Sequence, residues 1–299
     1  MRIGAHMSVA GGTALAVDRA VLHGCESLQI FAKNASQWRG KPLDPSDVRR
    51  FRDGVERAGL TPVVSHASYL INLATANPAL RTQSIDALVD EVDRANTLGL
   101  DGVVVHPGTC TSGTERDACA LVAEAVLDVF RRTHGQRPLI LLEHTAGQGR
   151  TIGYRFEQLQ QIIADANGSP RLGVCLDTCH LLASGYDLTS DIGYRETFDA
   201  FDRLVGFTRL RVVHANDSKK PCGSRVDRHE HIGDGCLGLE PFRRLMADPR
   251  FSGLGLLIET AKTPTKGRPD AVAHDPLDAR NLDTLRRLRE STRAAPVAG

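Results

Sequence analysis

Eight short apolar runs alternate with longer helical patterns along the 299-residue chain, and this alternation limits the possible folds more than any other feature. The runs lie at 2–6, 27–32, 61–66, 101–106, 138–143, 172–177, 209–214 and 254–259. Helical spacing of apolar residues follows at 12–24, 44–58, 78–98, 115–133, 156–166, 193–205, 239–246 and 275–293. Eight such pairs predict an α/β fold, a (β/α)8 TIM barrel, in a single domain over residues 1–299. The last helix and a frayed tail are expected at about 280–299.

An open, doubly wound sheet is the alternative fold for alternating strands and helices. Its usual Gly-x-Gly-x-x-Gly fingerprint does not follow the first run, because Gly11-Gly12 does not fit it. The longest stretch without clear periodicity is 216–238, which is polar, contains glycine and is rich in histidine. A long loop inside a compact domain is more often functional than a linker, so this stretch is predicted to serve the site.

The composition is that of an ordinary globular protein, with 41% hydrophobic and 24% charged residues. A formal net charge of +1 does not indicate a strongly basic nucleic-acid-binding domain, although local basic clusters can suffice. The seven cysteines are irregularly spaced and are expected to be reduced thiols. The N-terminal stretch is too short and too polar to be a signal peptide, and no apolar run is long enough to span a membrane. We therefore expect a cytoplasmic protein without a membrane partner. A monomer is also predicted, although none of these features determines the oligomeric state.

The apolar runs end in residues that bind metals. Leu172–His180 is typical, since its buried strand stops at Asp177 and His180 follows three positions later. Six of the eight runs end in this way, at His66, His106, Glu143, Asp177, His214 and Glu259. Three further residues of the same kind follow closely: His180, Asp227 and His229. In a barrel the carboxyl ends of all strands meet at one mouth, so these nine side chains are predicted to converge there.

Five histidines and four carboxylates are predicted to crowd into one barrel mouth. Without cations these side chains would repel one another or be poorly solvated. A single histidine at a strand end is more often structural, but nine matching positions favour a metal centre with more than two sites. Nitrogen and oxygen donors without thiolates favour zinc, manganese or similar ions. His6, on the first run, is expected to support a ligand. Clustered divalent ions suit phosphoryl displacement best, so phosphodiester hydrolysis is the hypothesis that follows from the residues.

Several segments also closely resemble signature motifs of the endonuclease IV family, in the right order over about residues 1–262. They are Phe31-Ala32-Lys33-Asn34, His66-Ala67-Ser68-Tyr69-Leu70-Ile71-Asn72, His106-Pro107-Gly108, Glu143-His144-Thr145-Ala146-Gly147-Gln148-Gly149, Asp177-Thr178-Cys179-His180, His214-Ala215-Asn216-Asp217-Ser218-Lys219 and Asp227-Arg228-His229. The resemblance implies a zinc-dependent apurinic/apyrimidinic endonuclease of base-excision repair. Such enzymes cut duplex DNA 5′ to an abasic site, leaving a 3′-hydroxyl and a 5′-deoxyribose phosphate, and also remove 3′-blocking groups.

The resemblance implies three zinc ions per chain, with manganese as a possible substitute. The first ion would be held by His66, His106 and Glu143; the second by Glu143 as a bridge with Asp177, His214 and Glu259; the third by His180, Asp227 and His229. Glu143 and Glu259 are the predicted catalytic residues. Glu259 would help to orient the attacking hydroxide.

DNA contacts are also predicted from the resemblance. Tyr69-Leu70 resembles the pair that wedges into the base stack, and the loop from Lys33 to Arg39 is a second candidate. The predicted DNA-binding residues are Lys33, Asn34, Trp38, Arg39, Tyr69, Leu70, Lys219 and Arg228. Two departures stand out: Ser36 lies where an inserted arginine is expected, and His144 lies where asparagine is more usual.

Two other functions compete with the nuclease. A sugar isomerase or epimerase of the related barrel group would use one or two metals and a small closed pocket. A non-catalytic binder of damaged DNA would need empty metal sites. The nine ligand positions and the Tyr69-Leu70 pair favour the nuclease, whereas the near-neutral net charge mildly favours the isomerase.

Overall fold

The computed structural model describes residues 1–263 and 271–294. Its strands are β1 (Arg2–His6), β2 (Ser27–Phe31), β3 (Val63–His66), β4 (Gly102–Val105), β5 (Leu139–Glu143), β6 (Leu172–Asp177), β7 (Leu210–His214), β8 (Asp217–Ser218), β9 (His229–Glu230) and β10 (Gly255–Ile258). Eight of them pair in parallel as a closed barrel in the order β1-β10-β7-β6-β5-β4-β3-β2. The predicted TIM barrel is therefore confirmed, with each barrel strand inside its predicted run.

The α-helices are α1 (Thr13–Leu22), α2 (Pro45–Ala58), α3 (Pro78–Leu98), α4 (Glu115–Arg132), α5 (Phe156–Asp165), α6 (Thr178–Ser184), α7 (Asp191–Leu204), α8 (Glu240–Ala247) and α9 (Pro276–Ala294). Short 3-10 turns lie at Phe207–Arg209 and Pro249–Phe251. Eight of these helices were predicted, and α6 was missed. The tail predicted to fray, 295–299, lies outside the described residues.

Capping residues explain where several helices begin. The Asp44 side chain accepts a hydrogen bond from the Ser46 backbone N–H at 2.8 Å, and proline follows it at the first helical position. Asn77 caps α3 in the same way, through the Leu80 N–H at 3.0 Å. Such caps satisfy backbone donors that have no partner within the helix, and each stabilises the helix by roughly 0.5–2 kcal/mol. The Asp-Pro and Asn-Pro pairs therefore fix these two helix starts.

Two apolar layers surround the barrel wall. The larger layer lies between strands and helices, and the smaller one fills the interior. The interior residues are Val64, Val104, Leu141, Cys175, Val212 and Leu257. Cys175 packs in this interior layer, and all seven cysteines are free. In the described part of the chain, no helix combines the length and the apolarity that crossing a membrane requires.

The loop 216–238, predicted to be functional, contains a small structured element that the sequence did not reveal. β8 and β9 pair antiparallel, with Asp217 opposite Glu230 and Ser218 opposite His229. The buried carboxylate of Asp217 accepts backbone N–H bonds from Gly233, Gly235, Leu237 and Gly238 at 2.8–3.2 Å. Asp217 thus holds the second half of the loop against the hairpin that carries His229.

Candidate metal centre

Six barrel strands bring a metal-binding type of side chain to the same level of the barrel mouth. The residue two positions earlier in each strand belongs to the apolar interior: Val64–His66, Val104–His106, Leu141–Glu143, Cys175–Asp177, Val212–His214 and Leu257–Glu259. Because side chains alternate faces along a strand, residues two apart point the same way. The apolar layer therefore closes the barrel below, and the polar layer lies at the carboxyl ends, where TIM-barrel active sites form.

Glu143 lies at the centre of this polar layer and is fully buried. Its Oε2 is 3.1 Å from His66 Nε2 and 3.0 Å from His106 Nε2. Its Oε1 is 3.0 Å from His214 Nδ1. One carboxylate therefore faces two groups of ligand atoms, with one oxygen toward each.

Asp177, His214 and Glu259 complete the second group with Glu143, and the four ligand atoms lie within 4.8 Å of one another. Nδ1 of His214 is 3.2 Å from Glu259 Oε2 and 3.9 Å from Asp177 Oδ2. His66, His106 and Glu143 meet the same criterion as the first group. The structure thus brings together the first two ligand sets that the sequence predicted.

The third group is His180, Asp227 and His229. Nε2 of His180 is 3.2 Å from Asp227 Oδ2, and Nε2 of His229 is 3.4 Å from Asp227 Oδ1. Asp177 and His180 are separated by the first turn of α6, and Asp177 Oδ1 accepts from the His180 N–H at 2.9 Å. Asp177 Oδ2 lies 3.5 Å from His229 Nε2, so Asp177 stands between the second and third groups.

The hydrogen bonds of three histidines show that the groups fit cations. Nδ1 of His66 and of His180 each lie 2.8 Å from a backbone carbonyl, and Nε2 of His214 lies 2.9 Å from Gln29 Oε1. A neutral imidazole that donates from one nitrogen carries a lone pair on the other. These lone pairs face carboxylate oxygens at 3.0–3.2 Å. A positive charge must lie between such groups, as a proton or as a metal ion.

Buried atoms and pKa shifts support the same conclusion. Nε2 of His180 and Nε2 of His229 are buried without a hydrogen-bond partner. Burial opposes protonation of His180, but the nearby Asp177, Asp227 and Glu143 carboxylates raise its pKa well above the ordinary value. A field that attracts a proton also attracts a divalent ion. The three groups therefore have the donors, the burial and the electrostatic field of metal sites.

Cys179 is a further potential ligand, because its Sγ lies within 4.8 Å of ligand atoms of Asp177 and His229. Burial, and then the Asp177 charge, raise the pKa of the Cys179 thiol to about 12. Its Sγ contacts the Arg228 carbonyl at 3.6 Å. A centre of nitrogen and oxygen donors alone therefore stays a prediction.

Two buried amides orient the ligands, and neither was predicted from the sequence. Gln29 accepts from His214 Nε2 through Oε1, and its Nε2 contacts both Glu259 Oε1 and, at 3.1 Å, His6 Nδ1. Asn216 donates to Asp177 Oδ2 at 2.7 Å and accepts from the Glu259 N–H at 2.9 Å. A glutamine inside an apolar strand was the available signal. The contact with Gln29 gives His6 the supporting place predicted for it.

The chain is similar to known proteins over most of its length. A family model described as the xylose isomerase-like TIM barrel matches residues 17–288. A protein named probable endonuclease 4 from Chloroflexus aurantiacus is 48% identical over 261 residues, which are 87% of this chain and 92% of the relative. The chain belongs to the endonuclease IV family. The crystal structure of endonuclease IV from Thermus thermophilus matches with a TM-score of 0.84 at 40% identity, over 97% of this chain and 100% of that one.

The alternative prediction, a sugar epimerase, is represented among the structural neighbours of this endonuclease IV family member. The structure of a D-tagatose 3-epimerase-like protein matches with a TM-score of 0.68, over 98% of this chain and 100% of that one. At 19% identity, that similarity shows the shared barrel fold alone. The family assignment favours the nuclease interpretation over the epimerase.

His144, one of the two predicted departures from the family pattern, is fully buried beside the third group. Its carbonyl accepts from His180 Nδ1, and its Nε2 donates to the Tyr154 carbonyl at 3.1 Å. Its ring packs against Phe156 and Tyr186. Burial among these rings, and then the His180 charge, lower the pKa of His144 to about 3.

This low pKa predicts an acid-sensitive stability. The unfolded chain binds a proton at His144 from about pH 6.5 downward, whereas the folded chain does not until about pH 3. Stability is therefore lost as the pH falls through this window, by up to about 1.4 kcal/mol per pH unit. His144→Asn should remove that loss. Urea unfolding of both metal-free proteins at pH 6.5, 5.5 and 4.5 measures it, and a constant difference between them would contradict the prediction.

The predicted wedge pair of this endonuclease IV family member lies beside the metal centre. Tyr69 is 65% exposed, and its ring lies 5.4 Å from that of His66 and 6.3 Å from that of His106. Leu70 is 36% exposed. Both side chains are therefore available to DNA, and their predicted role as a wedge remains a prediction.

The other predicted DNA contacts differ in their placement. Asn34, Arg39, Lys219 and Arg228 are exposed, whereas Trp38 packs partly against the core. The prediction for Lys33 does not agree with the structure. Lys33 is buried, and its Nζ lies 3.1 Å from Asp90 Oδ2 and 3.2 Å from Glu91 Oε1. Two carboxylates on α3 thus hold this ammonium group away from the surface.

Proposed function

We propose that the protein hydrolyses duplex DNA on the 5′ side of abasic sites, leaving a 3′-hydroxyl and a 5′-deoxyribose phosphate. It uses three zinc ions, for which manganese can substitute, and it also removes 3′-blocking groups. The observation that carries the proposal is the set of three ligand groups joined through Glu143 and Asp177 beside the exposed Tyr69-Leu70 pair. A sugar-binding site needs fewer ligands and no exposed aromatic wedge.

His66, His106 and Glu143 would hold the first ion, Glu143, Asp177, His214 and Glu259 the second, and His180, Asp227 and His229 the third. When bound, the ions supply activated water at neutral pH and stabilise negative charge on the phosphate and the leaving oxygen. Glu143 sets the separation of the first two groups, because its two oxygens serve one group each. These two roles support its assignment as a catalytic residue.

Glu259 is the second proposed catalytic residue. Its side chain is 14% exposed, in contrast to the fully buried Glu143, so it lies at the solvent side of the layer. Gln29 holds Oε1 of Glu259, while Oε2 lies near His214. A carboxylate fixed in this way can accept a proton from the attacking water and orient it toward the phosphate.

The substrate is recognised by the surface around the mouth. Tyr69 and Leu70 would fill the gap in the base stack, while Asn34, Trp38 and Arg39 contact the same duplex from the neighbouring loop. Lys219 and Arg228 are exposed beside the third group and would bind phosphates. With a net charge of only +1, the chain depends on these local cations and the bound ions for affinity. We further propose that it acts as a cytoplasmic monomer, where its free cysteines stay reduced.

One experiment separates the candidate functions. The purified protein is analysed for metal content and then incubated with a duplex that carries a single abasic site. Close to three zinc ions per chain with incision on the 5′ side supports the proposal. One or two ions, with no incision but turnover of a ketose such as D-fructose, would support the epimerase instead. Binding without either reaction would indicate a non-catalytic binder.

Tyr69→Ala should weaken binding of the abasic duplex about 10-fold, since stacking on an aromatic ring contributes roughly 1–3 kcal/mol per base. The metal content should not change, because Tyr69 is not a ligand. Fluorescence anisotropy with abasic and intact duplexes, together with metal analysis, measures both. Ile192→Ala is the matched control, because Ile192 is a 62% exposed apolar residue on α7. Loss of zinc from the Tyr69 variant would show that this residue supports the site structurally.

A further inference from the structure

One face of α3 binds the two loops that carry the proposed DNA contacts. Asp90, Glu91 and Arg94 follow Ala87 by three, four and seven residues, so all four lie on the same side of the helix. We call these four residues the α3 anchor. Each makes at least one contact with the loop after β2 or the loop after β3.

The anchor holds the start of the loop after β2 through Lys33. Its Nζ lies 3.1 Å from Asp90 Oδ2 and 3.2 Å from Glu91 Oε1, and it donates to the Ala87 carbonyl at 3.4 Å. Only 1% of the Lys33 side chain is exposed. A buried lysine with three such contacts is fixed in place, so the residues that follow it begin from a defined point.

The anchor also holds the end of the same loop, through Arg94. Its Nη2 donates to the Lys41 carbonyl at 2.7 Å, and its Nε donates to Asp90 Oδ2 at 3.0 Å. The close approach needs a glycine at position 40, because a Cβ on Gly40 would lie 2.5 Å from Arg94 Nη2. The segment with Asn34 and Arg39 is therefore pinned at both ends.

Through Glu91 the anchor also contacts the loop after β3, which carries Tyr69-Leu70. Oε1 of Glu91 accepts from the backbone N–H of Ser68 at 3.1 Å, directly before Tyr69. The Ser68 hydroxyl donates to the Ala35 carbonyl at 2.6 Å, in the middle of the other loop. Glu91 thus contacts Lys33 and Ser68 with the same oxygen, and one buried ion pair joins the two loops.

We propose that Lys33 and Glu91 are positioning residues for recognition of damaged DNA, which fix Tyr69-Leu70 relative to the Asn34–Arg39 segment. The inference rests on the proposed function. A buried ion pair contributes little net stability, because desolvation offsets the attraction, but it fixes geometry. When the relative position of the two loops is already fixed, they lose less conformational freedom as one duplex contacts both, so binding is tighter.

The test uses Glu91→Gln, which keeps the shape and the acceptor for the Ser68 N–H but removes the charge that holds Lys33. We expect about 10-fold weaker binding of the abasic duplex, with unchanged metal content and unchanged kcat at saturating DNA. Glu26→Gln is the matched control at the opposite end of the barrel. Glu26 accepts from the Ile3 N–H at 2.9 Å and pairs with Arg289, so it has the same kinds of partner. This control should bind DNA as the wild type does.

A double-mutant cycle shows whether Glu91 acts through the wedge. In a Tyr69→Ala background, Glu91→Gln should change the affinity less than about 2-fold, because coupled residues are not additive. Equal effects of Glu91→Gln with and without Tyr69 would overturn the inference. If the single variant folds poorly, Lys33→Met combined with Glu91→Gln removes both charges, and the same result is expected of it.

Hydrogen exchange of the free protein tests the loop coupling without any activity. Glu91→Gln should raise exchange in both 33–41 and 67–72, whereas Glu26→Gln should raise neither. Unchanged exchange in either loop would overturn the inference, whatever the activity. Raised exchange in both loops, in a protein that fails to cut abasic DNA, would support the coupling and reject the proposed function.

Discussion

Glu143→Ala is expected to lower the rate of incision by at least about 10³-fold while leaving the barrel folded, because residues that act as one catalytic unit fail together. Its two oxygens face His66 and His106 on one side and His214 on the other, all within 3.1 Å. Alanine removes one ligand from each of two groups, so the variant should bind one ion instead of three. Although burial opposes its ionisation, the His106 and His214 charges hold the pKa of Glu143 well below its ordinary value. The carboxylate is therefore charged throughout the useful pH range.

Incision of an abasic duplex under single-turnover conditions, metal analysis and circular dichroism together test this expectation. Glu240→Ala is a suitable control, because Glu240 is a 43% exposed carboxylate on α8 that pairs only with arginines of its own helix in the described structure. The control should retain its activity and its metals. Near-normal cleavage by Glu143→Ala would exclude the bridging role, and loss of the native circular dichroism spectrum would mean that Glu143 is needed for folding.

The barrel and the positions of the ligands at the strand ends could be predicted because both depend on local patterns. Each strand is a short apolar run, and the ligand that ends it lies two residues after an interior residue such as Val64 or Leu257. A period-two pattern therefore encodes the strand, the face and the level of the side chain together. That His66, His106 and Glu143 share a group came from the family resemblance, since spacing alone does not say which neighbours meet.

Other features depend on contacts between distant parts of the chain, and these were missed or mistaken. Lys33 was predicted to contact DNA, but it is buried because it pairs with Asp90 and Glu91, which lie more than fifty residues away on α3. Helix α6 has only seven residues and begins directly at the end of β6, without a loop to separate the two patterns. Gln29 and Asn216 are ordinary polar residues until the barrel places them against Glu259 and Asp177.

In the proposed three-zinc centre, the ion held by His180, Asp227 and His229 should leave before the other two when a chelator is added. Two of its proposed ligands, Asp227 and His229, have 40% and 22% of their side chains exposed. In the other two groups His106 is 33% exposed, but the shared Glu143 and His214 are fully buried. Both exposed ligands belong to the loop 216–238, which can move without opening the barrel. A chelator must reach the ion to remove it, so the ion of the third group should be removed first. Incision should fall by about 10²–10³-fold at this stage, the usual cost of losing one group that stabilises developing charge.

Asp227→Asn separates this effect from general weakening of the centre. It should lower the metal content by one ion per chain, whereas Glu143→Ala should lower it by two, because Asp227 serves one group and Glu143 serves two. Asp234→Asn is the control, since Asp234 lies in the same loop with 41% exposure and pairs with Arg280. Release of all the ions in one step, measured with a zinc indicator during chelation, would mean that the groups form a single cooperative cluster. Stepwise release would instead show that cooperative metal binding is confined to the first two groups, which share Glu143.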